Sequence, residues 1–408
     1  MSSIIHEVTI ARPPSEVYTV LSHVERLPEL SDIKTPGMYC STLAHAIVRV
    51  TAEGEESAMS DTEARSQPDV QNDRRLDPRV KRALRNVPPR LSNDIDSRER
   101  LVEISNSPSA QAMAAKLEDL YARLDTADVA PFDGLRIETR EFASMPDGNT
   151  VKVQLIRPDS DVVVPGVVYL HGGGMQTGSC FNALYRMWGR LLAHQGLAVA
   201  MIDFRNCLTP SSAPEIEPFP AGLNDCVSGV RWTLNHAVEL GIDPDRVIVA
   251  GESGGGNLTL ATGMQLLRDG DMKLVNGLYS LCPYIAGRWP QARFPSSIEN
   301  EGILLNLHHN RGAVAYGIEQ LDAGNPLAWP SFATDADVRG LARTFISVNE
   351  ADPLRDEGIE FYRLLLRAGV NAQCRVVMGT SHGMDVFAAV LPDIAAQTAV
   401  SIALFART

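Results

Sequence analysis

From about residue 131 onward, strand patterns alternate with helix patterns, and this alternation constrains the fold more than any other feature of the sequence. Runs rich in β-branched residues are separated by stretches of helical periodicity, such as 223–241 and 257–270. Strands that alternate with helices predict an α/β fold, with a mostly parallel eight-stranded sheet flanked by helices. The predicted strands are 134–142, 150–158, 166–174, 196–204, 246–253, 275–283, 343–353 and 372–379.

A serine between glycines follows the fifth predicted strand. The stretch Val247–Leu258 reads VIVAGESGGGNL and contains the pattern Gly-x-Ser-x-Gly. A strand that enters a helix through such a turn holds the serine in a strained conformation, with its hydroxyl above the sheet. The next backbone N–H then lies at the helix N-terminus, which favours an anion. Taken alone, the motif also fits a glycine-rich loop with an idle serine. Its residues are Gly251, Glu252, Ser253, Gly254 and Gly255.

A second glycine motif follows the third predicted strand, which ends at Leu170. His171 is followed there by three consecutive glycines, Gly172, Gly173 and Gly174. Glycines let the backbone approach a ligand closely and present N–H groups to it. Two such donors, together with the N–H of Gly254, would stabilise the oxyanion that forms when an ester carbonyl is attacked. We interpret His171 as a structural support of the loop, with proton transfer as the alternative.

A serine hydroxyl needs a base to remove its proton, and the base needs a carboxylate to orient it. Only three histidines follow Ser253 in the sequence. His382 comes directly after the last predicted strand, in a loop with glycines on both sides, and is the predicted base. His308 and His309 lie in a polar helical stretch, where a solvated face is expected.

Four carboxylates follow the seventh predicted strand, and one of them is the predicted orienting acid. Asp352 precedes a proline, which holds it extended at the end of the strand. Asp356 and Glu357 fall in the first turn of the next predicted helix, where carboxylates complement the helix dipole. Glu350 is the remaining alternative. Asp352 is therefore preferred over its neighbours.

Composition excludes several classes of function. The formal net charge of −13 argues against a nucleic-acid partner. No run of about 18 uncharged apolar residues is present, so no membrane span is expected. Residues 1–18 lack the features of a secretory signal, which makes the cytoplasm the default location. The six cysteines form no C-x-x-C pair, so we expect buried free thiols and no metal site.

The first part of the chain differs from the rest in its residue composition and in its predicted elements. Residues 1–50 contain a strand pattern and a helix pattern that resemble the opening of the START-like lipid-binding fold. The alternative is an accessory strand and helix packed on the main domain, and the role of this extension is left open. Residues 51–78 are polar and poor in aromatic residues, which predicts a linker.

With these motifs in place, residues 75–408 resemble the hormone-sensitive lipase family of α/β-hydrolase serine esterases, also called bacterial family IV. Further matching segments are "NPLAWPS" at 325–331, "DPLRDEG" at 352–358 and "SHG" at 381–383. The resemblance implies an α/β-hydrolase core at 131–284 and 336–408, with a helical cap formed by 79–130 and 285–335. It also implies that no cofactor is needed and that a homodimer is one expected assembly.

The same resemblance assigns roles to residues. It implies that Ser253 is the nucleophile, Asp352 the acid and His382 the base, and that the oxyanion donors are the N–H groups of Gly173, Gly174 and Gly254. The elbow departs from the family pattern, because Glu252 and Gly254 stand where Asp and Ala are commoner, and Met384 replaces an aromatic residue.

The predicted function is a serine carboxylesterase that hydrolyses short- to medium-chain esters, its small-molecule substrates, through an acyl-enzyme. Three alternatives stay open at this point. One is a non-catalytic ligand receptor on the same fold. Another is a hydrolase coupled to an N-terminal lipid-binding element, and the weakest is a peptidase.

Overall fold

The computed structural model describes residues 68–85 and 93–408 of the chain. Within them, the predicted alternation becomes one sheet of eight strands. The predictions for residues 1–50 and for the linker as far as residue 67 lie outside the described residues. The strands are β1 (Leu135–Ala143), β2 (Thr150–Pro158), β3 (Val164–Leu170), β4 (Ala198–Ile202), β5 (Ile242–Glu252), β6 (Gly277–Leu281), β7 (Arg343–Asn349) and β8 (Ala372–Val377).

The sheet has the strand order β1-β2-β4-β3-β5-β6-β7-β8. β2 runs antiparallel to both of its neighbours, and every other pairing is parallel. All residues of the central strands β3 and β4 are buried. Such burial is expected where helices cover both faces of a sheet. The predicted mostly parallel, eight-stranded sheet is therefore confirmed.

Twelve α-helices and three 3-10 helices accompany the strands in the described part of the chain. The α-helices are α1 (Pro78–Leu84), α2 (Arg98–Ser105), α3 (Pro108–Leu124), α4 (Ala183–Ala193), α5 (Ala221–Asn235), α6 (Gly254–Arg268), α7 (Ser296–Glu299), α8 (Arg311–Tyr316), α9 (Ile318–Asp322), α10 (Asp335–Val338), α11 (Arg355–Arg367) and α12 (Pro392–Arg407). The 3-10 helices are Met272–Leu274, Pro330–Phe332 and Met384–Val386.

Alternate residues of the central strands supply two separate cores. Val168 of β3 packs in the same cluster as residues of α5, α6 and α11. Val167 and Tyr169, its neighbours in sequence, pack with Trp188 of α4 and Ile402 of α12 on the other face. This is the two-residue period expected of a strand that is buried on both sides. The two layers of helices hold the sheet in place, and the glycine loops lie at the carboxyl ends of its parallel strands.

Two segments that the sequence predicts to be cap halves contact each other. The side-chain amide of Asn310 accepts a hydrogen bond from the N–H of Ile95 (2.9 Å) and donates one to its carbonyl (3.0 Å). On the core side, the Arg98 guanidinium donates to the carbonyl oxygens of Cys207 and Ile216. Residues before β1 are therefore joined both to the segment after β6 and to the loop after β4.

The described cysteines match the expectation of buried thiols. All five of them are free, and four are buried, whereas Cys374 is half-buried. No described helix combines the length and the apolar character that crossing a membrane requires.

Candidate active site

Ser253 lies on the sharp turn between β5 and α6. Its backbone angles, φ 59° and ψ −117°, lie in a region that residues other than glycine rarely adopt. A Cβ added at Gly251 would lie 2.5 Å from the carbonyl oxygen of Gly255 in α6, and one at Gly255 only 2.0 Å from that of Leu170 in β3. Strand and helix therefore approach so closely that only glycine fits beside the serine. This is the local reason for the Gly-x-Ser-x-Gly sequence.

Ser253, His382 and Asp352 form a continuous hydrogen-bonded chain. Nε2 of His382 lies 2.8 Å from Oγ of Ser253, and Nδ1 lies 2.8 Å from Oδ2 of Asp352. The other carboxylate oxygen of Asp352 accepts the N–H of Leu354 at 2.9 Å. Asp352 is fully buried and His382 is nearly so. Because the carboxylate can only accept, Nδ1 carries a proton and Nε2 is free to accept one from the serine.

The structure separates Asp352 from the other carboxylates that follow β7. Glu350 accepts the N–H of Gly379, and Asp356 pairs with Arg355 and accepts the N–H of Ser296. Glu357 accepts hydrogen bonds from a different loop. None of these three side chains bonds to His382.

His308 and His309, the other candidate bases, lie in the segment after β6. The ring of His308 lies 2.8 Å from the carbonyl of Ser297 and pairs with Glu301 at 3.7 Å. Burial lowers the pKa of His309, whose Nδ1 accepts the N–H of Arg311. Of the three histidines that follow Ser253, only His382 is hydrogen-bonded to it.

The glycine loop after β3 faces the serine turn. Gly173 and Gly174 have φ values of 102° and 66°, which favour glycine. A Cβ on Gly254 would lie 2.5 Å from the backbone nitrogen of Met175 and 2.7 Å from that of Gly174. Within residues 68–85 and 93–408, the N–H groups of Gly173, Gly174 and Gly254 donate to no other protein atom. Three amides near the serine are thus left without a protein acceptor.

Gly172, by contrast, has both of its backbone polar groups held by side chains. Its N–H donates to the hydroxyl of Tyr185 at 2.9 Å, and its carbonyl lies 2.8 Å from Nδ1 of His171. Burial lowers the pKa of His171, which keeps the ring neutral, and the ring stacks on Phe204 with centroids 4.1 Å apart. This geometry agrees with the structural interpretation of His171.

Glu252 is buried directly beneath the glycine loop. Its two carboxylate oxygens accept hydrogen bonds from Tyr185 (2.6 Å) and Tyr169 (2.8 Å). Burial raises the pKa of Glu252 to about 7, against the lowering effect of these two phenols. Neither tyrosine belongs to a motif that marks it as a candidate in the sequence. Each lies in a regular element more than sixty residues from Glu252, and no local pattern marks such a contact.

An aromatic cluster lies on the other side of the serine. The N–H of Tyr284 donates to the carbonyl of Ser253 at 3.1 Å, and the Tyr284 ring stacks on Trp289 with centroids 4.7 Å apart. Glu357 holds this segment, because it accepts from Nε1 of Trp289 (2.6 Å) and from the N–H groups of Ile285 and Ala286. Burial raises the pKa of Glu357 to about 8.

One group of residue types that bind metals occurs in the described part of the chain. Ligand atoms of Cys282, Asp352 and His382 lie within 4.8 Å of one another. His382 and Asp352 already share a hydrogen bond, so a cation coordinated by both facing atoms would have to break it. Burial also raises the pKa of the Cys282 thiol, which disfavours the thiolate that a metal would need.

Known proteins share this fold. A family model described as the alpha/beta hydrolase fold matches residues 167–386. Carboxylesterase NlhH of Mycobacterium tuberculosis is 34% identical over 60% of this chain and 74% of its own length. A solved structure of esterase Est22 with p-nitrophenol is 56% identical, with a TM-score of 0.81, over 83% of this chain and 99% of that one. Brefeldin A esterase, a bacterial homologue of human hormone-sensitive lipase, is 35% identical, with a TM-score of 0.72, over 84% of this chain and 95% of that one.

The chain belongs to the α/β-hydrolase family. Its resemblance to the hormone-sensitive lipase group is also confirmed, and the protein is a carboxylic ester hydrolase. Its substrates are accordingly small esters.

Proposed function

We propose that Ser253, His382 and Asp352 hydrolyse carboxylic esters as nucleophile, base and orienting acid. The observation that carries the proposal is the pair of 2.8 Å hydrogen bonds that joins the three side chains. A neutral imidazole that donates Nδ1–H to a carboxylate presents its Nε2 lone pair to the serine hydroxyl. The buried carboxylate then stabilises the imidazolium that forms when the proton is transferred.

The reaction proceeds in two steps. Oγ of Ser253 bonds to the ester carbonyl carbon while its proton moves to Nε2 of His382, and the carbonyl electron pair moves to oxygen. The amides of Gly173, Gly174 and Gly254 stabilise this oxyanion. The intermediate then expels the alcohol, which takes the proton from His382 and leaves an acyl-enzyme. Water repeats the sequence with His382 as base, and the carboxylic acid is released.

The substrate class that we propose is esters of short and medium acyl chains. Support comes from the buried aromatic residues Tyr284, Trp289 and Trp329, which pack against one another in the segment that contacts the Ser253 carbonyl. We also propose that 79–130 and 285–335 form a cap over the core segments 131–284 and 336–408. The hydrogen bonds between Ile95 and Asn310 support the joining of its two parts. A homodimeric assembly and a cytoplasmic location stay predictions.

A receptor that has lost catalysis fits this site less well. Such a protein needs neither an activated serine nor amides left free to bind an oxyanion. Here the serine, histidine and aspartate are all present and joined, and the three glycine amides have no acceptor in residues 68–85 and 93–408.

The experiment that tests the proposal is the Ser253→Ala variant, assayed with p-nitrophenyl esters of two to sixteen acyl carbons. We expect kcat/KM to fall by at least about 10³-fold, because removal of a serine nucleophile leaves only binding and oxyanion stabilisation. The unmodified enzyme should prefer the shorter chains. Ser401→Ala, which removes a hydroxyl from α12, is the matched control and should retain full activity. Retention of more than a tenth of the activity by Ser253→Ala, with an unchanged melting temperature, would refute the assignment.

A further inference from the structure

The underside of the glycine loop is held by a buried network that the proposed reaction does not itself use. Tyr185 of α4 both accepts the N–H of Gly172 and donates to Glu252. Tyr169 of β3 donates to the second carboxylate oxygen of Glu252. All three side chains are buried. A backbone amide of the loop is thus connected through one phenol to a carboxylate next to the nucleophile.

When Glu252 is ionised, the direction of each hydrogen bond in this network is determined, because a carboxylate can only accept. A tyrosine hydroxyl has one proton, which can rotate, and two lone pairs. When that proton is donated to the Glu252 carboxylate, a lone pair of Tyr185 is left to face the N–H of Gly172. Without the carboxylate, the hydroxyl proton could turn toward Gly172 and oppose its N–H. Glu252 therefore fixes the direction in which the hydroxyl proton of Tyr185 points.

The loop lies directly on the carboxylate. A Cβ added at Gly172 would lie 2.2 Å from Oε1 of Glu252 and 3.0 Å from the hydroxyl of Tyr185. The Gly172 carbonyl is held from the other side by His171. The Gly172 carbonyl shares its peptide plane with the N–H of Gly173, so holding Gly172 orients that amide. The next peptide plane is held separately, because the Gly173 carbonyl accepts the N–H groups of Gln176 and Thr177.

We propose that Glu252, acting through the hydroxyl of Tyr185, is a positioning residue that anchors Gly172 and so aims the amide of Gly173 at the developing oxyanion. The inference rests on the proposed function, because it presumes that this amide binds the oxyanion. It adds that the alignment of the amide depends on a buried carboxylate that never touches the substrate. A defect in such alignment weakens binding of the transition state more than binding of the ester.

The test compares two variants that each remove one buried tyrosine hydroxyl. Tyr185→Phe removes the hydroxyl that holds Gly172, whereas Tyr279→Phe removes one that contacts Ser401, outside the network. We expect Tyr185→Phe to lower kcat by about 10- to 100-fold with KM changed by less than about threefold, since loss of one oxyanion donor typically costs about 10²- to 10³-fold. Its inhibition constant for a trifluoromethyl ketone, which forms a tetrahedral oxyanion adduct with the serine, should rise by a similar factor. Tyr279→Phe should change each quantity by less than about threefold.

An equal loss of kcat in the two variants would overturn the inference, and so would a rise in KM with kcat unchanged. Either result would mean that the network only packs the protein and does not align the amide. If Tyr185→Phe does not fold, Glu252→Gln is the variant to be measured in its place. It keeps the shape, but its NH₂ group must face one of the two phenols, so kcat should again fall more than KM changes. Failure of the proposed function is detected separately, since it requires Ser253→Ala to remain active.

Discussion

At the scale of single residues, glycines determine how closely the two active-site loops approach. Gly251 and Gly255 let β5 and α6 meet beneath Ser253, and Gly254 contacts the backbone of the loop after β3. The strained turn is a local feature, so the sequence alone predicted it, whereas the contact of Gly254 with a loop distant in the chain was not predicted. A serine between glycines after a β-branched run indicates the strained turn, which the backbone angles of Ser253 display. The catalytic roles of the residues remain a proposal.

Gly254 provides a prediction at this scale. A methyl group there would lie 2.5 Å from the backbone nitrogen of Met175 and 2.7 Å from that of Gly174, so the facing loop must shift. Although Ala is commoner at this position in the family that the sequence resembles, the close loop contact in this chain leads us to expect that Gly254→Ala lowers kcat by about tenfold or more while KM changes little, because misaligned amides weaken oxyanion stabilisation. Steady-state kinetics with p-nitrophenyl acetate measures the effect. Gly270→Ala, in an open position, is the control and should alter stability alone. An unchanged kcat in Gly254→Ala would contradict this prediction, because it would mean that the loop after β3 can shift without weakening oxyanion stabilisation.

At the scale of elements, strand and helix patterns predicted the sheet but not the contacts between its elements. Each of the eight predicted strands overlaps an observed one. For the central strands the reason is burial on both faces, which leaves a run of apolar and β-branched side chains in the sequence. The contact of Glu357 with the segment after β6 joins residues about seventy positions apart. Glu357 was considered only as an alternative to Asp352. Strand and helix periodicity in the sequence does not indicate a contact between residues so far apart.

Glu357 provides a prediction for this segment. Burial raises its pKa from an ordinary 4.5 to about 8, so the folded state retains a proton that the unfolded state loses above pH 4.5. Its contribution to stability is therefore fully present below pH 4.5 and is lost as the pH rises through 8. Glu357→Gln cannot titrate, so the free energy of unfolding of the wild type minus that of the variant should fall between pH 5 and pH 8. The expected fall is at least about 1.4 kcal/mol, which corresponds to one pKa unit.

Urea denaturation of both proteins at several pH values measures this difference. Glu360→Gln, on an exposed part of the same helix, is the matched control and should give a difference that is independent of pH over this range. A constant difference for Glu357→Gln as well would contradict the account of its burial.

At the scale of the whole molecule, the fold joins residues that are far apart in the chain. Ser253 and His382 are 129 positions apart, and His382 and Asp352 are 30 apart. Each follows a different strand of a parallel sheet, and the carboxyl ends of such strands meet at one edge. That rule is why the sequence could select these three residues. It could not supply the buried phenols beneath the glycine loop, since those depend on how α4 packs against the sheet.

The most direct test of the account is covalent labelling with a fluorophosphonate, followed by peptide mapping by mass spectrometry. Ser253 Oγ attacks phosphorus and fluoride leaves, so the account predicts one adduct per chain, on Ser253, with loss of esterase activity in proportion to labelling. Stoichiometric inactivation with the adduct on any other residue, or full activity in enzyme labelled at Ser253, would contradict it.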